Sequence, residues 1–85
     1  MIMHADVDSV AKEIGRRVRE AREGLGLRQD ELALAAGVST RLVHQIETGK
    51  ATSRLDGVVR VLAALGLTLE VAERTPRRAP PGGAK

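Results

Sequence analysis

The sequence predicts an all-α fold, a compact bundle of four to five helices followed by one short β-strand. Apolar residues recur at the three- and four-residue spacing of amphipathic helices as far as Leu65. Glycines stand where the periodic segments end, as expected at helix C-termini. With 85 residues and no aromatic side chain, the chain is expected to form one small domain whose core consists of Leu, Val, Ile and Ala.

The first helix is predicted over Val7 to Glu23. Its apolar stripe consists of Val7, Val10, Ala11, Ile14, Val18 and Ala21. The segment 24–27, Gly-Leu-Gly-Leu, then ends the helix because glycine is a poor helix former. Residues 1–6 are interpreted as a short flexible lead.

The next two helices are predicted to be joined by a tight turn. Gln29 to Ala36 forms the first of them, and Gly37 then permits the positive φ that such a turn requires. Ser39 is a preferred N-cap for the second, and Gly49 ends that helix as a left-handed residue.

The helix after Ser39 divides into two faces at about 100° per residue. Leu42, Val43 and Ile46 share the apolar face, whereas the opposite face carries Thr40, Arg41, His44, Gln45 and Thr48. An ordinary surface helix has the same division, so amphipathicity alone does not establish a function. Arg and Gln are, however, the side chains that form paired hydrogen bonds with guanine and adenine edges, and the pattern therefore favours DNA binding.

The last helix is predicted to begin at Ser53-Arg54-Leu55-Asp56, an acidic variant of the capping box. Its buried stripe consists of Leu55, Val58, Val59, Leu62 and Leu65, and Gly66 ends it. Gly57 lies inside this helix, where it is expected to cost about 1 kcal/mol relative to Ala.

A β-strand is predicted over 67–72, because Leu67, Leu69 and Val71 alternate with polar residues. A lone strand has no hydrogen-bonding partner in its own chain, and its open edge is best satisfied by the same strand of a second copy. The sequence therefore predicts a homodimer. The alternative is an extended tail with Leu69 resting on the core.

The positive charge is concentrated at the C-terminus. The formal net charge is +3, but Arg74, Arg77, Arg78 and Lys85 all lie within 74–85, a Pro/Gly-rich segment predicted to be a disordered basic tail. Residues 1–73 carry ten basic and eleven acidic side chains. The high pI is therefore poor evidence for DNA binding by the domain itself.

Several classes of function are disfavoured by composition. Without cysteine there is no disulfide framework, thiol nucleophile or cysteine-based zinc site, and His4 and His44 do not form a metal-binding pattern. No catalytic constellation, phosphate-binding loop, signal peptide or membrane-spanning run stands out. We expect a cytoplasmic, non-enzymatic protein that needs no metal or cofactor.

Residues Gln29 to Lys50 resemble the helix-turn-helix of the Xre/Cro-type phage-repressor family. They match its pattern Gln-x-x-Leu-Ala-x-x-x-Gly-Val-Ser-x-x-x-Val/Ile-x-x-Ile/Leu-Glu-x-Gly-Lys throughout. The resemblance implies a repressor-like bundle that binds double-stranded DNA.

The resemblance also implies roles for individual residues. The base-contacting positions are Thr40, Arg41 and Gln45, and His44 between them could contact a phosphate or a base. Gln29 and Lys50 match backbone-contacting positions; the alternative is that both are solvated surface residues. Arg22 and Glu47 match a partly buried ion pair between the first helix and the DNA-contacting helix. One departure is Arg28, where the family usually has Thr or Ser; Arg28 cannot cap the helix but could add a phosphate contact.

A helix-turn-helix domain of this length that ends in one strand resembles the HipB-like antitoxins of toxin–antitoxin pairs. That resemblance implies a transcriptional repressor that acts as a homodimer on a palindromic operator, regulates its own gene and neutralises a HipA-like serine/threonine kinase. A stand-alone regulator with no toxin partner is the alternative, and a protein–protein adaptor is a third interpretation.

Overall fold

The computed structural model describes residues 6–73, which form four α-helices. These are α1 (Val7–Gly24), α2 (Gln29–Ala36), α3 (Thr40–Glu47) and α4 (Leu55–Ala64). The all-helical prediction is confirmed, and no fifth helix forms within 6–73. Residues 1–5 of the predicted lead and the whole predicted tail, 74–85, lie outside the described residues.

Asp6, predicted to belong to the flexible lead, is the N-cap of α1. Its carboxylate accepts hydrogen bonds from the backbone N–H of Ser9 at 3.3 Å and from the Ser9 hydroxyl at 3.0 Å. A carboxylate at this position satisfies an unpaired N–H of the first turn and complements the helix dipole. These hydrogen bonds hold the pKa of Asp6 below its usual range.

All four helices contribute to one aliphatic core. Its buried members are Val18, Leu32, Ala33, Val43, Ile46, Val58, Val61, Leu62 and Leu65. α3 packs against both α1 and α2, and α4 packs against α2 and α3. Because α3 contacts every other helix, its inner face is fixed and its outer face has a defined orientation.

α1 crosses α3 at backbone contact through Gly15, a buried residue for which the sequence pattern predicts no role. A Cβ atom at this position would collide with the carbonyl oxygen of Ile46 and would lie 2.8 Å from that of Glu47. Neither oxygen can rotate away as a side chain could. The glycine is therefore required for the close approach of the two helices.

The predicted capping box at the start of α4 is wrong. The helix begins at Leu55 with Arg54 as its N-cap and without a side-chain cap. The Ser53 hydroxyl donates instead to the carbonyl oxygen of Lys50 at 3.1 Å, and the Asp56 carboxylate accepts from the N–H of Gly57 at 2.8 Å. The turn that leaves α3 thus uses the serine hydroxyl that would have capped α4.

Gly57 is buried where α4 packs on α3, and a Cβ atom there would collide with Cδ2 of Leu42. The predicted cost of about 1 kcal/mol relative to Ala applies to a glycine on an open helix surface. In the fold, the missing side chain provides space for Leu42, so helix propensity alone does not describe the position.

The predicted strand over 67–72 is not formed in the described chain, where residues 67–73 have no regular secondary structure. A strand exists only when its backbone is paired, and this single chain supplies no partner. Leu67 packs against the core and Leu69 lies beside residues of α1 and α4, whereas Val71 is 99% exposed.

Candidate nucleic-acid interface

The turn between α2 and α3 is built by Gly37, Val38 and Ser39. Gly37 ends α2 at φ +73°, and the N–H of Val38 donates back to the carbonyl oxygen of Ala33 at 3.0 Å. The Ser39 hydroxyl then accepts from the N–H of Leu42 at 3.0 Å and caps α3 as predicted. These local interactions define where α3 begins.

α3 has one buried and one solvent-facing side. Val43 and Ile46 are buried, while Thr40, Arg41 and His44 are exposed. Gln45 is half-buried at the edge between the two sides. The residues predicted to contact base edges therefore lie along one side of a helix that is anchored to the core.

The exposed cations of this region differ in their pairing. Within residues 6–73, the side chains of Arg41 and Lys50 form no hydrogen bond or ion pair. Arg28 is instead held by Asp30 at 3.0 Å and by Glu31 at 3.6 Å. A phosphate contact by Arg28 would have to compete with two carboxylates, whereas Arg41 and Lys50 have no such competition.

A network centred on Glu47 ties the end of α3 to α1 and α2. The Arg22 guanidinium donates two hydrogen bonds to the Glu47 carboxylate at 2.6 and 3.0 Å, and a third to the carbonyl oxygen of Leu27 at 2.7 Å. The Gln29 amide donates to the same carboxylate at 3.1 Å. Gln29, predicted to contact a phosphate, is thereby held at the start of α2.

The Glu47 side chain is only 4% exposed and that of Arg22 is 12% exposed, so water does little to screen the pair. Burial by itself raises the pKa of Glu47, but the hydrogen bonds from Arg22 and Gln29 outweigh it and hold that pKa below its usual range. The carboxylate is consequently ionised at neutral pH. Such a pair fixes orientation more than it adds stability, because desolvation offsets much of the attraction.

Lys12 is a candidate DNA-contacting cation that the sequence did not predict. Its side chain packs over Gly49 at the end of α3, where a Cβ atom would lie 2.8 Å from Cγ of Lys12. The Lys12 side chain is exposed and forms no ion pair within the described chain. It therefore lies beside Gly49, the residue before Lys50 in the sequence, although it belongs to α1 and falls outside the motif pattern.

Comparisons with known proteins agree with this geometry. A family model described as a helix-turn-helix domain matches residues 13–75. An uncharacterized HTH-type transcriptional regulator y4mF of Sinorhizobium fredii is 41% identical over 66 residues, covering 78% of this chain and 87% of that protein.

Among solved structures, a toxin–antitoxin module from Streptococcus pneumoniae is similar to the chain with a TM-score of 0.69 and 37% identity. The similarity covers 79% of this chain and 74% of that one. The matched family, the Gln29–Lys50 motif and the observed α2–turn–α3 geometry coincide, and the chain therefore belongs to the Xre-type helix-turn-helix family of DNA-binding regulators.

Proposed function

We propose that the protein is a sequence-specific transcriptional repressor that binds a palindromic operator as a homodimer. The observation that carries this proposal is the outer side of α3, where Arg41 is exposed with no partner in the described chain and Gln45 lies beside it. Side chains that are already paired would lose those interactions on binding DNA, whereas Arg41 loses only water.

In this proposal Thr40, Arg41 and Gln45 contact base edges in the major groove. Gln29, His44 and Lys50 contact the sugar-phosphate backbone and set the orientation of α3. Arg28 adds a weaker backbone contact, because Asp30 and Glu31 already neutralise it. The Arg22–Glu47 pair contributes indirectly by holding Gln29 and the end of α3 in place.

The homodimer supplies the two-fold symmetry that a palindromic site requires. Two copies of α3 on one side of the dimer would enter successive major grooves, with half-site centres about 10 bp apart or a multiple of that distance. The apolar segment 67–72 is the proposed contact between the copies.

We further propose that the repressor is the autoregulating antitoxin of a HipBA-type pair, with a HipA-like kinase as its partner. The similarity to a chain of a toxin–antitoxin module at 37% identity favours an antitoxin over a stand-alone regulator, and the HipBA type of the pair rests on the resemblance of the sequence alone. Co-expression with the product of the neighbouring gene and co-purification of the two proteins would support it. A neighbouring gene that encodes no toxin, together with specific operator binding, would favour the stand-alone regulator.

The test of the DNA-binding proposal is fluorescence anisotropy of the purified protein with its own upstream promoter, at two salt concentrations and against a scrambled duplex. We expect specific binding that weakens steeply with salt, because phosphate contacts release counterions. Equal and weak binding to both duplexes would contradict the proposal and would favour the adaptor interpretation.

A further inference from the structure

The Arg28 guanidinium is held by carboxylates at the start of its own helix, α2. Its Nε lies 3.0 Å and its Nη2 lies 3.5 Å from the two carboxylate oxygens of Asp30, and its Nη1 lies 3.6 Å from Glu31. All three nitrogens of the guanidinium therefore have an acidic partner. Arg28 stands where the family usually has Thr or Ser, so this arrangement is a property of this chain and not of the family pattern.

The two carboxylates around Arg28 differ in what else they do. Glu31 also accepts the backbone N–H of Arg28 at 2.8 Å and so helps to close the first turn of α2. Asp30 is 58% exposed, and the hydrogen bond from the Arg28 side chain is the largest cause that holds the pKa of Asp30 below its usual range. The hydrogen bonds of Asp30 all lie within the first turn of α2, so its replacement leaves the contacts between helices intact.

The start of α2 lies beside the end of α3, because the Gln29 amide donates to the Glu47 carboxylate at 3.1 Å. In the function proposed above, Gln29 contacts the sugar-phosphate backbone. Arg28 is the preceding residue and its side chain is 72% exposed, which brings the guanidinium within side-chain reach of the same backbone. Residues 28–31 nevertheless carry one cation and two carboxylates, so a phosphate would approach a region of net negative charge.

We propose that Asp30 limits the affinity of this protein for DNA by competing with a backbone phosphate for Arg28. The inference rests on the DNA-binding function proposed above and adds to it a residue that opposes binding. Asp30 is a positioning residue in this scheme, because it acts through Arg28 and does not itself contact DNA.

The competition follows from the chemistry of the two partners. Carboxylate and phosphate oxygens both accept paired hydrogen bonds from a guanidinium, so Arg28 gains little when it leaves one for the other. Its departure also leaves the Asp30 carboxylate without that partner and close to the negatively charged backbone. Arg41 and Lys50 have no such carboxylate to leave, so the same phosphate contact is more favourable for them.

Asp30→Asn tests the proposal, because it removes the charge and retains the shape of the side chain. We expect binding to the promoter duplex and to the scrambled duplex to tighten by the same factor, about two- to fivefold, which is the range for one exposed ion pair. The dependence of log affinity on log salt should become steeper by as much as about one, since a full phosphate contact forms. Fluorescence anisotropy at several salt concentrations measures both effects.

Arg28→Gln separates competition for Arg28 from simple repulsion between Asp30 and DNA. In the Arg28→Gln background, Asp30→Asn should no longer tighten binding, because no guanidinium remains to be released. A change in slope that depends on Arg28 is a readout that a merely structural role for Asp30 would not produce.

Glu20→Gln is the charge-matched control. Glu20 holds Arg16 at 2.7 Å and its side chain is 60% exposed, so the variant also removes one of two carboxylates from an exposed arginine. Glu20 follows Gly15 by five residues and therefore lies about 140° around α1 from the contact with α3. Release of Arg16 on that side should leave DNA binding unchanged.

The outcomes are distinct. No gain for Asp30→Asn, an equal gain in the Arg28→Gln background, or an equal gain for Glu20→Gln would each overturn the proposal and leave the DNA-binding function in place. Wild-type protein that binds both duplexes equally and weakly would overturn the function proposed above and this inference with it.

Discussion

Gly15 determines how closely α1 approaches α3, and through that approach it positions the helix that we propose to face DNA. Gly15→Ala would force the two backbones apart, because the added methyl group meets the carbonyl oxygens of Ile46 and Glu47. We expect a loss of about 1–3 kcal/mol in the free energy of unfolding, the usual cost of overpacking. Urea denaturation followed by circular dichroism measures it.

Gly24→Ala is the matched control. Gly24 is the last residue of the same helix, and a Cβ atom there meets nothing within 4 Å. This variant should be neutral or stabilised by about 0.4–1 kcal/mol, because alanine reduces the conformational entropy of the unfolded chain. Equal destabilisation by both substitutions would contradict the account of Gly15.

Glu47 is expected to make the free energy of unfolding of the domain depend on pH. Its pKa in the folded state lies below the ordinary value of 4.5, so its contribution to stability is complete above that value and is lost as the pH falls through the folded-state pKa. We expect Glu47→Gln to be less stable than the wild type at pH 7, and the difference to shrink as the pH falls below about 4.5.

Urea denaturation at a series of pH values tests this expectation. Asp6, Glu13 and Asp30 also have lowered pKa values, so the comparison must be between the variant and the wild type at each pH. A difference in stability that stays constant down to pH 3 would show that Glu47 does not titrate as described.

At the scale of elements, α2 lacks the side-chain N-cap that its family usually supplies. Arg28 has no acceptor atom, so only the reciprocal half of a capping box forms, in which the Glu31 carboxylate accepts from the N–H of Arg28 at 2.8 Å. Arg28→Thr should complete the box and stabilise the protein by about 0.5–2 kcal/mol. The lost ion pairs are exposed and contribute little.

Thermal unfolding measures this gain, which should raise the Tm by several degrees, since about 1 kcal/mol shifts a domain of this size by roughly 4–8 °C. Arg60→Thr, an exposed substitution inside α4, provides the control because threonine there creates no cap. No increase for Arg28→Thr, or an equal increase for Arg60→Thr, would contradict the capping argument.

Helix boundaries set by neighbouring residues could be predicted from the sequence, whereas a boundary that depends on a competing hydrogen bond could not. α2, the turn and the start of α3 were predicted to the residue, because Gly37 and Ser39 act on neighbouring backbone. The start of α4 was misplaced because the Ser53 hydroxyl bonds Lys50 instead.

The roles of Gly15 and Lys12 could not be predicted from the sequence for a different reason. Their roles arise from the crossing of α1 over α3, which no local pattern encodes. The Gln29–Lys50 pattern predicts DNA contacts only from residues in or next to α2 and α3. It therefore does not include Lys12, a cation of α1 that lies beside Gly49. The strand predicted at 67–72 depends on a second copy for its backbone pairing, and a single chain, described over 6–73, supplies no such partner.

For the whole molecule, charge is divided between a nearly neutral domain and a basic C-terminal segment. Residues 1–73 carry ten basic and eleven acidic side chains, and 74–85 adds four cations. We propose that these cations attract DNA phosphates without base specificity. Deleting 74–85 should then weaken binding to operator and scrambled duplexes by the same factor and reduce the salt dependence.

Fluorescence anisotropy of the full-length and shortened chains at several salt concentrations measures both effects. Replacing the four cations of 74–85 with glutamine in the full-length chain controls for loss of the segment itself. A selective loss of operator binding on deletion would instead mean that the segment contributes to sequence recognition.

In the proposed function, α3 discriminates among DNA sequences through its outer side. The most direct measurement is the affinity of wild-type and Arg41→Ala proteins for a panel of operators with single base-pair substitutions, with Arg60→Ala as the charge-matched control. We expect Arg41→Ala to lose discrimination at one base pair per half-site, about 1–3 kcal/mol, and Arg60→Ala to retain the wild-type pattern. A loss for Arg41→Ala that is uniform across the panel would contradict it.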